Sequence, residues 1–139
     1  MKIISALALS GIMVLATGKL TAQKSIKDTA AYLKKFETNR EKYIGKPFSL
    51  LLKDMALLQI RKAKSEISED AANTLLTTRF LFSDQNIDSS QPALVIRWKA
   101  DDAPVTPIEF LEQDHQYRFT VSERNFFEKK VIRDLMVKQ

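Results

Sequence analysis

The spacing of apolar residues changes several times along the chain, and each change marks a predicted element. Ile26, Ala30, Leu33 and Phe36 recur at helical spacing behind Ser25 and Asp28, a pair that resembles a helix-starting cap, so a first helix is predicted near 26–39. The turn Gly45-Lys46-Pro47 then introduces Phe48, Leu51, Leu52 and Met55 at i, i+3, i+4 and i+7, the pattern of a short second helix. From Leu57 the period falls to two, with Leu58 and Ile60 alternating against Gln59 and Arg61 up to about Lys64, which predicts a strand. Two more strands follow. Leu76, Thr78, Phe80 and Phe82 alternate with Leu75, Thr77 and Arg79, and Leu94, Ile96 and Trp98 alternate with Val95, Arg97 and Lys99 beyond a polar loop, Asp84 to Gln91. The polar stretch 65–74 carries no clear period.

The last third is punctuated by caps. Thr106-Pro107-Ile108-Glu109 has threonine at a cap position, proline at the first helical position and glutamate at the third, and predicts a helix from 107 to about 115. Thr120-Val121-Ser122-Glu123 repeats the threonine and glutamate spacing before Phe126 and Phe127, so a second short helix is predicted to end near Lys129. Residues Val131 to Val137 fit two templates. Positions 127, 131 and 135 keep helical spacing, while their apolar and β-branched alternation suits a strand, which is preferred.

Together these elements predict an α+β fold: one antiparallel sheet of about four strands with the helices packed on one face, in the order helix, helix, three strands, two helices, strand. Phe80, Phe82 and Trp98 share the parity of their strands' apolar residues, so they are expected to fill the core beneath the helices. The opposite parity carries Gln59, Arg61, Thr77, Arg79, Val95, Arg97 and Lys99, a polar and basic surface.

The first residues read differently from the rest. A positive Met1-Lys2 start and an uncharged apolar run from Ile3 to Gly18 have the layout of a secretory signal peptide. Cleavage after Ala22 is favoured, and cleavage after Gly18, behind the small residue Ala16, is the alternative. The run is shorter than the roughly 20 residues of a spanning helix and contains Ser10 and Gly11. The expected organisation is therefore a signal peptide at 1–22 and a single domain at 23–139, periplasmic or secreted, with no transmembrane segment after cleavage.

Composition supports one ordinary globular core: of 139 residues, 45% are hydrophobic and 28% charged. Losing Lys2 and Lys19 with the signal takes the 22 basic residues to 20 against 17 acidic ones, a net charge of +3. The sequence pI near 9.5 thus overstates the basic character, and nucleic acid, whose binding needs Lys and Arg clustered on one face, is not an expected partner of an exported chain. With no cysteine there is no disulfide framework, no thiolate and no lipoprotein anchor.

The segment Tyr43-Ile44-Gly45-Lys46-Pro47-Phe48-Ser49-Leu50-Leu51-Leu52-Lys53-Asp54, with Glu123-Arg124-Asn125-Phe126-Phe127 running into Val131-Ile132-Arg133-Asp134-Leu135, resembles small exported proteins of Gram-negative bacteria that have no assigned activity. About a third of the chain is covered, by apolar and turn residues, so the resemblance implies a shared fold and adds weight to a strand after Val131. The turn Tyr43 to Phe48 is also similar to half of a cell-wall-sensing PASTA module, a likeness of one turn and one helix that carries no function.

The catalytic inventory is short. His115 is the sole histidine, so histidine triads and histidine-rich metal sites have one available member. Glu112-Gln113-Asp114-His115 has the spacing of di-iron bundle motifs, but it occurs once, and a solvated helix end with His115 on the C-terminal dipole is the simpler expectation. Asp101-Asp102 has the look of a polar turn and offers too few oxygens for calcium. Ser49 and Ser122 lack a nucleophile-elbow context, and the Gly45 to Ser49 turn lacks the Walker pattern, though its amides and Lys46 could meet an anion. No cofactor and no metal are predicted. The leading expectation is a non-enzymatic binding or interaction module using Arg61, Arg79, Arg97 and Lys99 on a basic sheet face toward an acidic protein or an anionic envelope component. The alternative, a carboxylate-dependent hydrolase or metal-binding protein, requires Glu109, Glu112, Asp114 or Asp101 to converge in one pocket.

Overall fold

The computed structural model describes residues 28–68, 74–101 and 106–139. The predicted signal peptide with both candidate cleavage points, Ser25 and Ile26, part of the polar stretch before the second strand, Asp102, and the side chains of Thr106 and Pro107 lie outside the described residues. Helix α1 (Thr29–Thr38) is capped by Asp28, whose carboxylate accepts the Ala31 amide at 3.3 Å. Leu33 and Phe36 form its buried stripe. After a 3₁₀ turn (Arg40–Lys42) the chain reaches Gly45, whose φ of +81° is left-handed.

That glycine fixes a junction. Its amide donates to the Ile132 carbonyl at 2.8 Å, and the Phe48 and Ser49 amides that open helix α2 (Phe48–Asp54) donate to Lys130 and Glu128 at 2.9 and 3.0 Å. The amides that the sequence offered to an anion are therefore already satisfied by the chain entering the last strand. A Cβ at Gly45 would meet nothing within 4 Å, so Gly45→Ala is expected to cost about 1–2 kcal/mol through backbone conformation alone. An unchanged urea midpoint would contradict that assignment.

The first strand is displaced from its predicted place. β1 spans Lys62–Ile67, whereas Leu58 and Ile60 are buried from an extended lead-in outside the ladder. The alternation read there was real, but it reflects packing on the core and not strand pairing. β1 is followed by β2 (Leu75–Leu81), β3 (Ala93–Trp98), helices α3 (Thr106–Asp114) and α4 (Val121–Phe127), and β4 (Ile132–Lys138). The strands form a single antiparallel meander in the order β1-β2-β3-β4, and residues 132–138 are strand, as preferred. Register shifts skip Leu76, which pairing passes over between Thr77 and Leu75, and Arg133, between Asp134 and Ile132. The first shift reverses the expected parity at that end of β2: Leu75 is buried, and Leu76, expected inside, is 45% exposed.

All four helices among the described residues contribute to one core on one face of the sheet. Phe48 stacks on Phe80 at 4.9 Å between ring centroids, and Trp98 stacks on Phe127 at 5.5 Å. Phe80 and Trp98 are almost fully buried and Phe82 is partly buried, so the aromatic parity points inward as expected. No helix among the described residues is long and apolar enough to cross a membrane.

Both outer strands have covered edges. Beside β1, the Ala63 amide donates to Tyr117 O at 2.8 Å and the Ser65 amide to Glu112 Oε1 at 3.0 Å. Beside β4, the Val137 amide donates to Glu37 Oε2 of α1 at 2.6 Å, and the Leu135 amide to the neighbouring Asp134 carboxylate at 2.9 Å. Two glutamates from helices thus occupy amides that would otherwise offer a template for another strand.

Candidate functional site

With helices on one face and the edges occupied, the opposite face of the sheet is the surface left to consider. The cross-strand register arranges it in rows. Lys62, Leu81, Ala93 and Lys138 form one, Lys64, Arg79, Val95 and Met136 the next, and Glu66, Thr77, Arg97 and Asp134 the third. Part of this face is not polar. The loop after β2 folds back so that Ile87 covers Leu81 and Ala93 in a small second cluster, joined by Tyr117. Arg79 holds that loop, donating from Nε to the Ile87 carbonyl at 3.2 Å and from Nη2 to the Ser89 carbonyl at 2.8 Å. Lys64 adds an ion pair to Asp88 at 3.4 Å.

Beside this loop lies a shallow concavity of about 290 Å³, lined by Lys64, Glu66, Thr77, Arg79, Val95, Arg97, Met136 and Lys138. Its floor is the directly paired Val95 and Met136, both partly exposed, and its rim is mainly cationic. Among the described residues, Arg97 and Lys138 have no carboxylate within ion-pair distance; Asp134, across from Arg97, is 4.0 Å from Arg40 instead.

The predicted basic residues therefore do not form one stripe. Arg79 and Arg97 line the same concavity. Arg61 is corrected: it precedes β1 and makes a two-pronged contact with Asp84, Nε to Oδ1 at 3.0 Å and Nη2 to Oδ2 at 2.9 Å. That guanidinium holds the Asp84 carboxyl below the usual carboxylate range. Lys99 is exposed beyond the end of β3, where its amide donates to Val131 O at 2.9 Å. Lys64 and Lys138 belong to the site and were missed. Lys64 was read as the end of a strand whose parity was set by Leu58 and Ile60, and Lys138 as lying past the last strand.

The acidic residues weighed for hydrolysis are placed apart. Asp101 contacts Lys130 Nζ at 3.0 and 3.2 Å, and that ammonium also lies 4.9 Å from the Phe126 ring centroid. Glu109 and Asp114 are exposed on α3. Glu112 turns under the sheet into a buried polar chain: Ser65 Oγ donates to Glu112 Oε2 at 2.8 Å and shares a hydrogen bond with Thr78 Oγ1 at 2.7 Å, and Trp98 Nε1 donates to Thr78 Oγ1 at 2.8 Å. Burial pushes the Glu112 carboxyl up to about 7, against the Ser65 donors that favour its charged form.

His115 is not the solvated helix end expected from sequence. Its Nδ1 faces the fully buried Glu123 carboxylate, 2.5 Å from Oε1, and the Thr120 hydroxyl donates to the same carboxylate at 2.9 Å. The capping spacing of Thr120 and Glu123 was legible; the histidine that draws this glutamate inward was not. Among the described residues no group of three or more acidic or histidine side chains is placed to hold a metal ion.

The class defined by these observations is a helix-backed four-stranded antiparallel meander with an open, cation-rimmed sheet face. No protein family model, curated protein or solved structure matches the chain.

Proposed function

We propose that the chain is an exported, non-enzymatic interaction domain that receives an acidic partner on the open face of its sheet. The observation that carries this reading is the concavity over Val95 and Met136, where Arg97 and Lys138 lack ion-pair partners among the described residues. Cations left outside ion pairs on a sheet face raise the local concentration of anions and favour their encounter. The occupied edge amides of β1 and β4 weigh against strand addition as the mode of contact. Export is supported by the signal-like residues 1–22.

The test uses the double variant Arg97→Glu, Lys138→Glu and poly-L-glutamate as probe. Binding by the wild-type domain is expected to fall about tenfold between low and physiological salt, and to be lost in the double variant while its circular dichroism is retained. Equal binding by the two proteins would remove this face from consideration.

A further inference from the structure

The cations on the open face have a spacing as well as a charge. Val95 and Met136 are direct cross-strand partners, and together they make an apolar floor about one side chain wide. Arg97 lies two residues beyond Val95 on β3, and Lys138 lies two residues beyond Met136 on β4. Because β3 and β4 are antiparallel, those two steps run in opposite directions. One cation therefore stands on each side of the apolar row, each a single same-face step of about 6–7 Å away.

That is the repeat of an extended chain. Side chains at i−2, i and i+2 of an extended segment point the same way and are separated by the same 6–7 Å or so. Resting on the reading of this face as a binding surface, we infer that the partner presents an extended segment with acidic residues at i−2 and i+2 and an apolar residue at i, the apolar side chain seated on Val95 and Met136 and the carboxylates on Arg97 and Lys138.

Two further features favour a polypeptide over a small organic acid. The concavity is shallow and open to solvent, so it cannot enclose most of the surface of a small ligand as such sites do, whereas a protein segment needs burial only of its anchor. Met136 at the floor is adaptable and suits a range of apolar anchors.

The experiment titrates the ¹⁵N-labelled domain with the capped peptide Gly-Glu-Ser-Leu-Ser-Glu-Gly, with the same peptide carrying Ser for Leu, and with glutarate. The leucine peptide is expected to bind about tenfold more tightly than the serine peptide and to shift the resonances of Val95, Arg97, Met136 and Lys138. Met136→Ser, with its fold checked by the same spectra, should erase that preference, while Arg97→Glu, Lys138→Glu should weaken both peptides. If the two peptides bind equally and both are lost in the charge-reversed protein, the spacing inference fails and the acidic-partner reading stands. Glutarate binding as tightly as the leucine peptide also overturns the segment. If neither peptide shifts this face and poly-L-glutamate does not bind it, both readings fall.

Discussion

Trp98→Ala is expected to remove about 3–5 kcal/mol of folding stability, a large share of the total for a domain of this size. Trp98 is 3% exposed at the centre of an aromatic cluster, stacked on Phe127 and edge-on to Phe48 at 5.3 Å. It also donates its indole N–H to Thr78, so truncation leaves both a cavity and a weakened polar chain leading to Glu112. Because this is the sole tryptophan, unfolding in urea must be followed by far-ultraviolet circular dichroism. Trp98→Phe keeps most of the packing but not the donor and should cost roughly 1–2 kcal/mol. A loss below about 1 kcal/mol for the alanine variant would show that the ring does not tie the helices to the sheet.

Glu112→Gln is expected to change the pH dependence of stability by about 2–3 kcal/mol between pH 4 and pH 8, since one pKa unit corresponds to about 1.4 kcal/mol. In the unfolded chain this carboxyl ionises near its ordinary value of 4.5, whereas burial raises it to about 7 in the folded protein. Between those values the folded state holds the extra proton. The contribution of Glu112 to stability is thus complete at acid pH and is lost as the pH rises through 7. Glutamine remains neutral and its amide can still meet Ser65, so the variant should gain relative to the wild type as pH increases. Urea unfolding at a series of pH values checks this, and parallel profiles for the two proteins would contradict it. The same substitution separates two roles of the residue, since Glu112 also occupies the outward amide of Ser65 on β1.

Much of the fold was legible because local patterns agreed with tertiary packing. Leu94, Ile96 and Trp98 alternate on a strand buried on the side they predicted, and Thr120 caps α4 at the place its sequence marks. The failures have separate causes. Leu58 and Ile60 alternate because an extended lead-in lies against the core, and nothing local distinguishes that from a paired strand. Leu76 and Leu75 exchange sides because the register slips between β1 and β2, a property of two strands and not of either one. Arg61 left the expected basic face for Asp84, 23 residues away in sequence.

The candidate site was legible in outline only. Arg79 and Arg97 could be assigned to the polar side of their strands by parity, yet parity says nothing about what a guanidinium then contacts. Arg79 turned to the carbonyls of the loop that carries Ile87, while Arg97 was left without an ion-pair partner among the described residues. Glu112 was read as part of a solvated helix end and Glu123 only as a capping glutamate, since an isolated glutamate belongs in water; each is buried where Ser65 and His115, respectively, supply hydrogen bonds.

By itself the sequence determined the α+β order of elements, the antiparallel sheet, the inward aromatic parity and the chemistry that has no cysteine and a single histidine. These follow from residue spacing and composition, which act over one or two turns or along one strand. Tertiary structure alone decided the meander's register, the closure of both sheet edges by Glu112 and Glu37, the loop that covers part of the open face, and which of its cations make no ion pair among the described residues. Those outcomes depend on pairs of residues far apart in the chain, whose hydrogen bonds and charges find one another only after the sheet has formed.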